Sequence, residues 1–201
     1  ARRTHFTPIA RVSFAERFGT RSVQFEGDLY PVWPGRGYAY LSAAWADGPP
    51  HPDLRLAAEA FAALPRAFEA SAGVVYLDFD GDGIPIVVAS IAKYVENYWI
   101  SLRPYWLPED DELAVAGIAR RYLGAPDEHV TLRLVHGTGP ETLETAGDVD
   151  RRSSLSAQLD AQLHVGARWR VLPLAGVTSE ELGDGRDRLR TSIGLGAAYV
   201  F

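Results

Sequence analysis

The sequence predicts an all-β protein: a single-chain antiparallel transmembrane β-barrel of twelve strands, with residues 1–201 forming one domain. Three observations predict it. Segments of strict apolar–polar alternation recur along the chain, short and long connections alternate between them, and the last segment ends on aromatic residues.

The stretch "SSLSAQLDAQLHVG" (153–166) shows the pattern most clearly. Leu155, Ala157, Leu159, Ala161, Leu163 and Val165 hold its odd positions, while Ser154, Ser156, Gln158, Asp160, Gln162 and His164 hold the even ones. A strand points successive side chains to opposite faces, so this is a strand with one apolar and one polar side. The same reading places strands at 5–17, 20–33, 37–47, 54–65, 68–79, 84–95, 98–107, 113–123, 128–136, 153–165, 168–179 and 188–201. Most exceed the five or six residues usual in soluble sheets and match the roughly 9–11 needed to cross a bilayer at a tilt.

The connections sort by length. "PGRG" (34–37), "LPR" (64–66), "EN" (96–97), "GAPDE" (124–128) and "GA" (166–167) are short. "DGPPHPD" (47–53), "DGDG" (80–83), "PEDDE" (108–112), "GTGPETLETAGDVDRR" (137–152) and "SEELGDGRDR" (179–188) are mostly longer and more acidic, with "GTR" in the first hairpin a short exception. Outer-membrane barrels combine brief periplasmic turns with longer external loops and an even strand number. A soluble sandwich has no reason to sort its loops this way.

The last strand, "LRTSIGLGAAYVF", alternates Leu189, Ile193, Leu195, Ala197, Tyr199 and Phe201 against Arg190, Ser192, Gly194, Gly196 and Ala198. A terminal Phe with an aromatic two residues earlier resembles the signal read by the bacterial barrel-insertion machinery. In "YWISLRPYW" (98–106), Tyr98 and Trp106 share a face at opposite ends of a strand, with Ile100 and Leu102 between them. That spacing suits an apolar band flanked by aromatic girdles, so Tyr98, Trp106, Tyr199 and Phe201 are the expected girdle residues.

Composition narrows the class further. There is no Cys, hence no disulfide framework or thiolate metal site. The chain begins with Ala1 and holds no Met, which suggests a processed form whose export signal has been removed. Lys93 is the single lysine among 20 basic residues, and the formal net charge of -6 argues against a nucleic-acid surface. No apolar run approaches the roughly 18 residues of a membrane-spanning helix, and a barrel needs none.

Four stretches carry a resemblance to a known family: "DLYPVWPGRGYAYL" (28–41), "FEASAGVVYLDF" (68–79), "AKYVENYWISLRPYW" (92–106) and "ARRYL" (119–123), together with the terminal Tyr and Phe. On these the sequence resembles the YaiO-type outer-membrane β-barrel family. The resemblance implies a place in the outer membrane of a Gram-negative bacterium, with some relatives near surface-polysaccharide machinery. Helical repeats often precede the barrel in that family and are missing here, so a barrel-only member or a processed piece is expected. The resemblance supplies no catalytic residues.

The polar strand faces become candidate lumen residues: Glu26, Asp28, Arg55, Glu59, Glu69, Ser71, Ser101, Arg103, Arg120 or Arg121, Arg133, Asp160, Arg168, Arg170 and Arg190. Acids gather on early strands and arginines on later ones, and a guanidinium fork suits carboxylate or phosphate ligands. A constriction is expected in which Glu26, Glu59 and Glu69 face Arg103, Arg133 and Arg190.

Three further chemistries are weighed. "DFDGDG" gives Asp78, Asp80 and Asp82 the spacing of a calcium loop, but position twelve is Ala89 instead of a bidentate Glu, so a surface hairpin is the expected reading. Ser154, Ser156 and His164 share a strand face too widely spaced for a hydrolytic triad, and no nucleophile elbow exists. No catalytic residue, metal or cofactor is assigned. The expected function is a narrow pore or translocation component for a small solute or a surface glycan. The alternatives are a lipid-modifying outer-membrane enzyme and a non-conducting structural barrel of an envelope assembly. Expected partners are outer-membrane lipid and lipopolysaccharide, the insertion machinery through the C-terminal strand, and polysaccharide-export or other envelope proteins.

Overall fold

Alternation leaves every strand with one face to bury, and the chain meets this by pairing each strand with its neighbours in sequence. The computed structural model describes residues 5–17, 19–49, 51–109, 111–125, 127–137, 151–182 and 187–199. Twelve strands result: β1 (His5–Arg17), β2 (Thr20–Trp33), β3 (Gly37–Ala46), β4 (Leu54–Leu64), β5 (Phe68–Phe79), β6 (Asp82–Val95), β7 (Tyr98–Leu107), β8 (Glu112–Tyr122), β9 (His129–His136), β10 (Arg151–Val165), β11 (Trp169–Leu182) and β12 (Asp187–Tyr199). They form one sheet in the order β1 to β12, and the paired strands run antiparallel. The ladders of the described residues include no rung between β12 and β1. The terminal Phe201 expected in the girdle, and most of the 137–152 connection, lie outside the described residues.

Turn chemistry fixes the registers. Asp80 (φ 54°) and Gly81 (φ 90°) close the β5–β6 hairpin alone. Positive φ at both central residues gives the turn whose twist matches the flanking strands. The expected four-residue connection is therefore two residues long, and Asp82 and Gly83 pair within β6. Glu96 (φ 53°) plays the same part between β6 and β7, and Gly166 (φ 70°) turns β10 into β11.

The chain divides into two units. The first comprises residues up to Ile91 with Pro104–Leu113, and the second Ala92–Arg103, Ala114–Gly137 and the strands from β10 onward. In the first unit one sheet face is buried: Ala44, Ala46, Ala57, Leu77, Ile86, Val88 and Leu107 lie on it with Asp28, Ser42, Glu59, Glu69 and Ser71. The other face presents Phe25, Leu29, Leu41, Trp45, Leu56 and Val74 outward. In the second unit Ala114, Ala116, Ile118, Thr131, Ser154 and Glu180 are buried, while Leu132, Leu134, Leu155, Leu159 and Val177 are exposed.

This is the reverse of a water-soluble sheet. Ile193 is 92% and Leu195 80% exposed, and a continuous band of such residues is stable only against hydrocarbon. No helix among the described residues is long and apolar enough to cross a membrane.

Candidate functional site

The buried face of the first unit carries a connected polar network spanning β1 to β4. Register places Arg11 directly opposite Glu26. Its Nη2 donates to the carboxylates of both Glu26 and Asp28. The Asp28 side chain is 0% exposed, a position in which a carboxylate must be paired or hydrogen-bonded. Tyr40 Oη donates to Asp28 Oδ1 at 3.4 Å, and Arg55 Nη1 reaches Ser42 Oγ at 2.9 Å and Tyr40 Oη at 3.5 Å. Arg55 also lies 4.0 Å from Glu26 Oε1.

A second chain of donors lies beside it. Ser71 Oγ donates to Glu59 Oε1 at 2.5 Å and stands 2.5 Å from Ser90 Oγ. A hydroxyl has a single proton, so Ser90 donates to Ser71 and Ser71 to the acid. Near the short-turn ends of these strands the same face is aromatic: Tyr30 and Tyr40 lie 5.2 Å apart, and Tyr38 stacks on Phe61 at 4.3 Å. Toward the long-connection ends it is buried and mainly aliphatic, with Ala44, Ala46, Ala57, Val75, Leu77, Ile86, Val88 and Leu107 beside Tyr105. The face is thus graded from aromatic through charged to dry.

In the second unit Glu180, whose side chain is 0% exposed, is held by Arg188 Nε at 2.7 Å and Arg190 Nη2 at 3.0 Å. Arg120 Nε donates to Thr131 Oγ1 at 3.1 Å and its guanidinium lies over the Trp99 ring at 5.7 Å. At the short-turn rim Asp127 fastens the β8–β9 turn to two strands. It receives Arg170 Nε at 2.9 Å and stands 3.0 Å from His164 Nε2, while Gln162 Nε2 donates to its carbonyl at 2.7 Å. Arg170 and then His164 hold the Asp127 carboxyl below the ordinary carboxylate range. At the other rim the Val23 N–H does the same for Asp47, at 2.8 Å.

The structure places the expected lumen residues unevenly. Asp28, Glu59, Glu69 and Ser101 are buried, Arg55, Arg103 and Arg133 are half-buried, and their strand parity puts all of them on the inner face. Of the two arginines left open on β8, Arg120 is inward, opposite Thr131, and Arg121 is outward, opposite Val130. Arg168 corrects the expectation: it lies in the β10–β11 turn and its Nη1 donates to Tyr199 Oη at 3.0 Å.

The printed ion pairs of Glu26 and Arg190 are made within their own units. Glu26 is satisfied by Arg11 on the adjacent strand, and Arg190 by Glu180 on its own neighbour. Arg11, Arg188 and Glu180 were missed as site residues although their parity places them inward; Asp127 lies in a turn, where parity gives no signal.

The girdle residues Tyr98, Trp106 and Tyr199 are exposed on the outer face. The three aspartates of the calcium spacing meet different fates. Asp78 accepts the Gly81 N–H at 3.1 Å and the Tyr76 hydroxyl at 3.3 Å, and the Asp80 N–H donates to Asp53 Oδ2 at 2.8 Å. They shape a hairpin, and among the described residues no three acidic, His or Cys side chains converge on a metal position. Ser154 donates to the Gly137 carbonyl at 2.6 Å, far from His164 on Asp127.

Comparison with known proteins gives one family match: the description "YaiO membrane beta barrel domain" fits residues 1–142. No curated protein and no solved structure matches.

Proposed function

The chain belongs to the YaiO membrane β-barrel domain family, and from that premise we propose that it is a Gram-negative outer-membrane barrel that is closed at rest, a non-conducting structural component of an envelope assembly. The carrying observation is the buried aliphatic layer of the first unit. Leu77 and Ile86 are both 0% exposed and Val88 is 1% exposed, on the face that an open pore would keep wet. Next to that layer, Asp28 and Glu26 are held by Arg11, and Glu59 accepts from Ser71. A barrel of twelve strands lies between the filled eight-stranded and the open sixteen-stranded cases, and the burial of these side chains favours the filled one.

A second reading, a translocation component for a small solute or a surface glycan, draws support from the aromatic end of the same face. There Tyr30, Tyr40 and Arg55 sit beside carboxylates, a combination of ring faces and fixed polar groups suited to orienting a small ligand. Under this reading the aliphatic layer acts as a gate. The lipid-modifying reading gains nothing from the site, because Ser154 and His164 are engaged with different partners.

Single-channel recording in planar bilayers tests the proposal. The expected result is a silent membrane with the folded protein inserted. Steady ohmic steps at low voltage would overturn the closed-barrel reading and favour the translocation one.

A further inference from the structure

We propose that the outer face of the short-turn rim in the second unit binds the phosphodiester headgroups of anionic phospholipids through Arg121 and Arg168. Three inner arginines of this unit are held by carboxylates, while the inner Arg120 is held by the Thr131 hydroxyl and the Trp99 ring. Inside, Arg170 is paired with Asp127, and Arg188 and Arg190 with Glu180. Outside, Arg121 and Arg168 make no ion pair among the described residues and rest on tyrosines instead. Arg121, near the end of β8, lies over the Tyr98 ring at 5.7 Å, and Arg168 donates to Tyr199 Oη at 3.0 Å. Tyr199 in turn packs edge-on against Trp169, with centroids 5.0 Å apart.

Three physical arguments lead from this to a phosphate. Outward Tyr and Trp at a strand end mark the depth of the headgroups, so these guanidiniums lie where phosphates are. A guanidinium held by a tyrosine, over its ring as Arg121 is or by one donated hydrogen bond as Arg168 is, stays oriented while most of its five donors remain available in a planar fork, the geometry that matches a phosphodiester. The acids of the rim are turned away from both: Asp127 is taken by Arg170, and Glu128 accepts the His164 N–H at 3.3 Å. Glu96 stands in the β6–β7 turn and makes no described contact with either arginine. This inference needs the membrane setting of the chain but not its closed interior, so the conductance result leaves it standing or falling on its own.

The test uses the full chain in neutral detergent, with phosphatidylglycerol, phosphatidylcholine or inorganic phosphate added, and reads melting temperature and the lipid retained in native mass spectra. Phosphatidylglycerol is expected to raise the melting temperature and remain bound, and phosphatidylcholine to do neither. The double variant Arg121→Gln/Arg168→Gln should lose most of that shift and retention. Arg21→Gln, at the other rim and paired with Glu16, should keep both. The double variant Arg121→Lys/Arg168→Lys should fold and recover only part of the shift, because it keeps charge without the fork. An equal response of wild type and Gln double variant overturns the proposal. So does an equal shift from inorganic phosphate, which would mean a free-anion site instead of a lipid one.

Discussion

Arg11 holds two carboxylates at once, one of them fully buried, and this makes it the residue whose loss the fold should feel most. Removing a buried acid's cation leaves the charge without compensation, which costs about 3–5 kcal/mol in a fully buried pair. Arg11 itself is 45% exposed and Tyr40 still donates to Asp28, so the expected loss for Arg11→Ala is smaller, about 2–3 kcal/mol. Arg21 and Glu16 form a pair that is 82% and 57% exposed, and Arg21→Ala should cost less than about 1 kcal/mol. Urea unfolding of both variants in lipid vesicles checks this, and equal losses would show that burial does not govern the network. Asp127 allows a test by pH. Arg170 and His164 depress its pKa in the folded chain. Its contribution is therefore present above the unfolded carboxylate value, roughly 3.9, and is lost as pH falls through the lower folded value. Wild type should be more stable than Asp127→Asn at neutral pH, with the gap closing in strong acid. A gap that stays constant down to the acid limit would mean that the clasp does not depend on the carboxylate's charge.

The strand carries the information that sequence reveals best, because a period of two cannot be mimicked by a helix and survives any reassignment of loops. In β10, Leu159 faces out and is 51% exposed, whereas Gln158 pairs inward, opposite Arg133. Leu159→Arg at mid-strand should cost about 2–4 kcal/mol in a bilayer, and Gln158→Arg much less. Comparable losses in vesicle unfolding would reverse the face assignment. Parity also explains where legibility stopped. It set the outer band and put Asp28, Glu59 and Arg133 inward, yet it gave no partners, because contacts follow from register and register follows from the turns. The Arg11–Glu26 pair exists because the first hairpin sets those two residues opposite each other. Asp82 and Gly83 read as loop by composition, but Asp80 and Gly81 close the hairpin alone and the ladder runs on through them. Arg168 was carried into β11 by extending the alternation one residue too far, and the turn put it on Tyr199 instead.

Among the described residues large apolar side chains line the outward face and several carboxylates are buried on the inward one, and what the chain does depends on whether that inward face is wet. The first unit's aliphatic layer is the place to ask, since Leu77 and Ile86 are fully buried on adjacent strands. Replacing both by Ser removes the two largest of its fully buried side chains. Each loss should cost a few kcal/mol, in the range of about 2–5 measured for emptied cores, and the two new hydroxyls should give entering water partners in the opened layer. If the layer is the seal, Leu77→Ser/Ile86→Ser should give the first measurable conductance in planar bilayers where the wild type gives none. Leu56→Ser, on the outer face, serves as the control and should stay silent. A folded double variant that conducts no better than wild type would place the seal elsewhere, and a wild type that already conducts would show that there is none.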